Sequence, residues 1–289
     1  MGSKNDDLGQ IDGVGGATSV TSKVAVVSPS ARPDVDVDYT FVQVAVGHET
    51  IDLSGNCGNM CSGVGPFAIQ EGLVVPPPGA HSLDVRILNT NTNRCIIETV
   101  ELDGYGQVRE AGSHFIPGVK SPGSEIKVAF LDPAGSVTGK LFPSGRRIDQ
   151  IIVDGEELEI PSFTVDATLI DAANPFVVVD ARTLPPSVRD TAPGTSISLR
   201  VAEAIRQRGA VLMGLASDLE DASRTRGTPK IAYVSPPDHK SPDPNALAIK
   251  VLAYSMGKPH PTLQLTGGVC LASATVLEGT YTESTINDR

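Results

Sequence analysis

No stretch of the 289 residues approaches the roughly eighteen apolar residues of a transmembrane helix, so no membrane-spanning helix is expected. Basic residues are few and nowhere clustered. Against 23 Lys and Arg stand 34 Asp and Glu, a formal net charge of −11. Nucleic-acid and anionic-membrane partners require clustered cations to neutralise phosphate, so neither is expected. Cysteine is sparse as well. Cys57, Cys61, Cys95 and Cys270 are too few for a disulfide scaffold and read as reduced thiols of a cytoplasmic protein. Cys57 and Cys61 have C-x3-C spacing, but no His or Cys pair follows at zinc-site spacing, so no metal site is expected. The segment Met1 to Gln10 is polar and acidic and lacks the apolar core of a secretory signal. What is present suffices for a folded protein: 40% hydrophobic and 20% charged residues, over a length that suits two domains or one large one.

Tryptophan is absent, whereas 29 Gly and 22 Pro punctuate the chain at short intervals. Between them lie short β-branched runs: Ser22 to Val27, Asp38 to Val46, Leu83 to Leu88, Arg94 to Leu102, Glu125 to Leu131 and Asp149 to Val153. Such runs bounded by Gly, Pro, Asn and Asp predict strands. Asp103-Gly104, Asp132-Pro133 and Asp154-Gly155 mark the turns. One segment breaks the pattern. Gly58 to Leu73, GNMCSGVGPFAIQEGL, places Val64, Phe67, Ala68 and Ile69 near helical spacing, and Gly72 can end the helix. A helix this poor in charge should be enclosed by the sheet around it.

The second half repeats the theme. Phe163 to Leu169, Pro175 to Val179 and Lys230 to Ser235 predict strands. Ser196 to Arg208 predicts an amphipathic helix with Ile197, Val201, Ala204 and Ile205 on one side and Arg200, Arg206 and Arg208 elsewhere. Asn245 to Tyr254 is a further helix candidate. Thr266 to Leu277, TGGVCLASATVL, is again apolar, small and Gly-led. Two strand-rich halves, each with a Gly-led buried helix, predict a duplicated α+β architecture. Its boundary is expected near Glu156 to Pro161, giving domains 1–158 and 159–289.

The segment with most chemical content is Ser54 to Asn59, SGNCGN. It follows a strand and opens the buried helix, where backbone N–H groups point outward and negative charge is favoured. Gly55 and Gly58 permit close backbone approach, so the turn can cradle a carboxylate or phosphate. Cys57 there is a candidate acid, base or nucleophile; a tight turn with an inert buried thiol reads equally well. Gln10 to Lys23 is a second polar Gly-rich stretch. Lys23, at its end, can hold a carboxylate or act as a base if desolvated, although a surface lysine on an edge strand is the plainer reading. Asn174, in the turn Ile170 to Pro175, has an amide that can contact a ligand. His260 lies between two prolines and reads as an exposed loop residue, and Cys270 reads as core.

Taken together, QIDGVGGATSVTSKVAVVSPS, DVDYTFVQVAV, SGNCGNMCSGVGPFAIQEGLV, RGAVLMGLASDLEDASRTRGTPKIAYVSPP and SMGKPHPTLQLTGGVCLASA resemble the PrpF family of isomerases, over nearly the whole chain and in one order. The resemblance implies a diaminopimelate epimerase-like fold: two pseudo-symmetric domains, each a β-barrel-like sheet around a central helix, with the active site in the cleft between them. It implies cofactor-independent, metal-free proton shifts beside carboxylates, as in 2-methylaconitate, 3-methylitaconate and 4-oxalomesaconate isomerisation. Lys23 of TSK and Cys57 of GNCGN would then be catalytic. Ser22, Asn56, Gly58 and Asn59 would bind substrate, with Asn174 facing the cleft from the second domain. The partner is a small polycarboxylate, and the resemblance leaves room for a homo-oligomer.

The family's usual opening strand with its Gly-Gly-Thr-Ser-Lys-Gly loop has no counterpart between Met1 and Arg289. Neither does its closing His-Pro-Ser-Gly loop. Terminal strands are therefore expected to be missing, and a non-catalytic relative that binds a carboxylate or a partner is the alternative. A cysteine-dependent racemase ranks last, because only Cys57 sits in a suitable loop.

Overall fold

The computed structural model describes residues 18–46, 49–237 and 249–283. The chain divides into two compact units, Met1–Pro133 and Ala134–Arg289. The first is built on one six-stranded sheet of β1 (Lys23–Pro29), β2 (Val37–Val44), β3 (Ile51–Asp52), β4 (Ser82–Asn89), β5 (Arg94–Glu101) and β6 (Ile126–Phe130). The order is β1-β2-β4-β5-β6, with β3 also beside β2. Strands β2 and β4 run parallel and the other pairs antiparallel. Two short helices, α1 (Gly58–Cys61) and α2 (Val64–Gln70), connect β3 to β4 and pack on the sheet. Successive strand residues face opposite sides, so β2 buries Val37, Tyr39 and Phe41 on the side that α1 and α2 cover with Cys61, Val64 and Ala68.

The single helix expected over Gly58 to Leu73 is divided at Ser62–Gly63. Pro66 is the physical reason. In a continuous helix its ring would meet the Ser62 carbonyl, and its missing N–H would leave that carbonyl without a donor. Gly72, at φ 69°, ends α2 as expected, with the Leu73 and Val74 amides returning to the Ala68 carbonyl.

The second unit holds another six-stranded sheet, of β7 (Asp149–Val153), β8 (Phe163–Asp171), β9 (Pro175–Asp180), β10 (Lys230–Ser235), β11 (Lys250–Ser255) and β12 (Lys258–Pro259). Its order is β12-β11-β10-β9-β8-β7, with only β9 and β10 parallel. Helices α3 (Pro186–Arg189), α4 (Ser196–Leu212) and α5 (Leu219–Arg224) connect β9 to β10, and α6 (Leu265–Val276) follows β12. Every residue of β9 is buried, because both faces are covered. Val177 and Val179 pack toward α4 with Val201 and Ile205. Phe176 and Val178 pack toward α6 with Cys270, Leu271 and Ala274. Among the described residues, no pairing of end strands closes either sheet.

Three expectations are corrected here. The units part at Pro133, not near Glu156 to Pro161, because β7 pairs with β8 and so belongs to the second sheet. The helix expected over Asn245 to Tyr254 is not found among the described residues: residues 245–248 lie outside them, and Lys250–Ser255 forms strand β11. Met256 and Gly257, at φ 52° and 73°, turn β11 tightly into β12, the two-residue hairpin geometry that suits strand twist. Arg206, expected away from the apolar side of α4, is buried. Its guanidinium is satisfied by Glu203 at 2.8 and 2.9 Å and by the carbonyls of Ala222 and Thr225.

Candidate functional site

Strand β3 delivers the SGNCGN turn to α1. Asp52 accepts from both the amide and the hydroxyl of Ser54, at 2.8 and 2.5 Å. Asn91 ties the Leu53 carbonyl to the backbone of Phe41 on β2. The turn is therefore held from both sides, and Gly55 through Gly58 are buried. Cys57 is 8% exposed and occupies the N-cap position of α1, as expected for the start of a buried helix. Its carbonyl receives the first helical bond, from the Cys61 amide at 2.9 Å, and the Tyr39 hydroxyl at 3.4 Å. The Gly58 and Met60 amides precede that bond, so helix geometry gives them no intrahelical acceptor. Because α1 has only four residues, the macrodipole contributes little, and any anion cradle here rests on the amides themselves. Asn56 is buried, whereas Asn59 is exposed.

Lys23 opens β1 and is half-buried. Most of the Gly-rich stretch before it, Gln10 to Ala17, lies outside the described residues. From Thr18 the chain turns tightly, with the Ser22 amide on the Thr18 carbonyl. Buried Gln43 of β2 donates to the carbonyls of Ser19 and Ser22 at 3.0 and 2.9 Å, which fixes the turn against the sheet. Ser22 is fully buried, and the Lys23 Nζ donates to the Val20 carbonyl at 3.3 Å. By strand alternation Lys23 shares a face with Ala25 and Val27, which pack on the core that contains Cys57 and Cys61. Helix α1 packs against β1 itself. The structure thus brings Lys23 and Cys57 onto neighbouring elements of one unit.

Asn174 belongs to the second unit. It is fully buried in the turn from β8 to β9, where Ala173 takes φ 63°. The Cys270 thiol donates to the Ala172 and Asn174 carbonyls, both at 2.9 Å. Burial pushes that thiol up to about 12, in keeping with a core role. Among the described residues, no group of three or more His, Cys, Asp and Glu is arranged to hold a metal ion.

Sequence reasoning missed three buried polar residues. Glu98 lies on the core face of β5 between Ile96 and Val100 and is fully buried. One carboxyl oxygen accepts the Gly65 amide at 2.7 Å, and the Cys61 thiol bonds the same carboxyl. The signal was the alternation Ile96-Glu98-Val100-Leu102, which puts a carboxyl in the apolar series. Gln264 and Thr266, at the start of α6, are also buried, with side-chain atoms that have no hydrogen-bond partner among the described residues.

Two α+β units, each a mixed six-stranded sheet carrying a Gly-led helix, define the diaminopimelate epimerase-like class. The PrpF protein family matches residues 1–289, and the chain belongs to that family. It is 36% identical to a 2-methyl-aconitate isomerase of Shewanella oneidensis, over 97% of this chain and 72% of that protein. With a (4E)-oxalomesaconate Delta-isomerase of Novosphingobium it shares 37% identity, over 94% of this chain and 70% of that one. The crystal structure of a methylitaconate-delta-isomerase superposes with a TM-score of 0.71 at 31% identity, covering 98% of this chain and 74% of the other. These relatives are all isomerases, and the chain is an isomerase of this class.

Proposed function

We propose that the chain moves a proton between carbon atoms of an unsaturated di- or tricarboxylic acid such as 2-methylaconitate, shifting or isomerising its double bond without a cofactor. A base takes the proton allylic or α to a carboxylate, the electron pair moves into the conjugated system, and a proton returns at another carbon. Atoms and charge balance with no redox step. The reaction requires a positioned base, a proton donor and stabilisation of an enolate-like charge. Lys23 would act as base or stabilising cation, and Cys57 as the second proton-handling group. Ser22 and the Asn56-Cys57-Gly58-Asn59 turn would hold a carboxylate, and Asn174 is a candidate ligand-binding amide of the second unit. The observation that carries this reading is that Lys23 lies on the face of β1 against which α1, opened by Cys57, is packed. A non-catalytic relative is not favoured, since the named relatives are isomerases.

The test is solvent-deuterium exchange into methyl-substituted aconitate. Lys23→Ala should stop it while changing stability by no more than roughly 0.5 kcal/mol, as at sites with little packing to lose. Cys57→Ala should slow it by roughly 10²–10⁴-fold, the usual contribution of a general acid or base. Exchange at the wild-type rate in Lys23→Ala would show that this lysine is neither base nor essential cation.

A further inference from the structure

Helix α4 leaves part of its side of the second sheet uncovered. Between its first turn, the segment Ala181–Arg189 and strands β10 and β11 lies a cavity of about 400 Å³, a size that suits a small molecule. Strand alternation explains its floor. On β11, Lys250, Leu252 and Tyr254 point to one face, and on β10 Tyr233 and Ser235 stand opposite Leu252 and Lys250. Tyr233 and Tyr254 belong to the α4 core, whereas Ala232, Val234 and Ala253 belong to the α6 core. The cavity therefore opens on the α4 side of the sheet. None of Lys23, Cys57, Ser22, Asn56, Asn59 and Asn174 lines it.

Its lining has two characters. Leu184, Val188 and Leu252 make apolar walls. Among them sit three hydroxyls. Ser198 and Tyr254 bond to each other at 3.1 Å. Tyr233, whose ring meets that of Tyr254 edge-on at 5.3 Å, is 5% exposed, and its hydroxyl has no partner among the described residues. A buried hydroxyl rarely goes unpartnered, and the cavity that Tyr233 lines is where a ligand atom would reach it. Burial raises the pKa of both phenols, so they stay neutral. The charged lining is of one sign. Arg182, Arg189 and Lys250 line the cavity and are exposed, and no Asp or Glu is among its described lining residues. Asp180 and Asp190 pair with the two arginines from outside it. In a chain of net charge −11, three cations over apolar walls are complementary to an anion with an apolar body.

We propose that this cavity binds a small amphipathic anion, an acyl carboxylate whose chain lies against Leu184, Val188 and Leu252 and whose carboxylate meets Arg182, Arg189 and Lys250. The site belongs to the second unit alone and is independent of the proton shift.

The probe is octanoate, titrated calorimetrically into the full chain. It should bind saturably, one molecule per chain. Hexanoate, shorter by two methylenes, should bind roughly tenfold more weakly, and neutral 1-octanol at least tenfold more weakly than octanoate. Intermolecular NOEs should run from the octanoate chain to the methyl groups of Val188 and Leu252. Arg189→Glu combined with Lys250→Glu should weaken octanoate at least tenfold and leave octanol unchanged. Thr191→Trp, which sets an indole in the cavity wall, should block both. Melting temperatures of the variants within a few degrees of wild type show that they fold. Absence of saturable octanoate binding at millimolar concentration would overturn the proposal. So would octanol binding as tightly as octanoate, NOEs to methyl groups outside the cavity, or folded variants that bind octanoate like wild type. The wild-type comparisons and NOEs decide the matter even if a variant fails to fold.

Discussion

Glu98 occupies a position that alternation assigns to an apolar side chain, so its charge state has thermodynamic weight. Burial raises its pKa from 4.5 to about 7, partly offset by the bonds from the Gly65 amide and Cys61. Its other carboxyl oxygen has no partner among the described residues. A carboxyl whose folded pKa exceeds its unfolded value holds its proton longer in the folded state. Its stabilising effect is complete below about pH 4.5 and is lost as pH rises through about 7. The shift corresponds to roughly 3 kcal/mol. Glu98→Gln should therefore melt higher than wild type at pH 8, and should flatten the decline between pH 5 and 8. Parallel Tm-versus-pH curves for the two proteins would contradict this. The strand itself was legible in Arg94 to Leu102, but the role of Glu98 was not, because its partners come from helices distant in sequence.

At the scale of elements, the strands were read closely because β-branched runs between Gly and Pro carry their own period. The failures came where tertiary pairing or one residue overrode the local pattern. Pro66 divided an otherwise helical run, and pairing with β10 made a strand of Lys250–Ser255. The close seating of α4 is another feature no local pattern shows. A Cβ on Gly209 would lie 2.4 Å from Val177 Cγ2, a β-branched side chain fixed in β9. Alanine would favour the helix by about 1 kcal/mol, while overpacking costs typically 1–3 kcal/mol. Gly209→Ala should therefore lower the melting temperature despite the better helix former. An unchanged or raised Tm would show that α4 can move off the sheet at little cost.

Over the whole molecule, duplication was visible in the two Gly-led helices, whereas the unit boundary was not. Nothing local in Asp149 to Val153 reveals that this strand pairs forward with β8, and so the division was placed too late. The candidate site was legible in part. Lys23 and Cys57 stood out by their turns, but their placement on packed elements of one unit required the fold, and Gln264 and Thr266 gave no local signal. The central claim is a proton shift on an unsaturated polycarboxylate, and NMR in D2O tests it most directly. The wild-type chain is incubated with 2-methylaconitate, 3-methylitaconate and 4-oxalomesaconate in turn, and the spectra are followed for isomer formation and loss of carbon-bound protons. At least one acid should isomerise with deuterium entering only at the carbons that exchange the proton. If none of the three isomerises or takes up deuterium with folded protein at micromolar concentration, the account is contradicted.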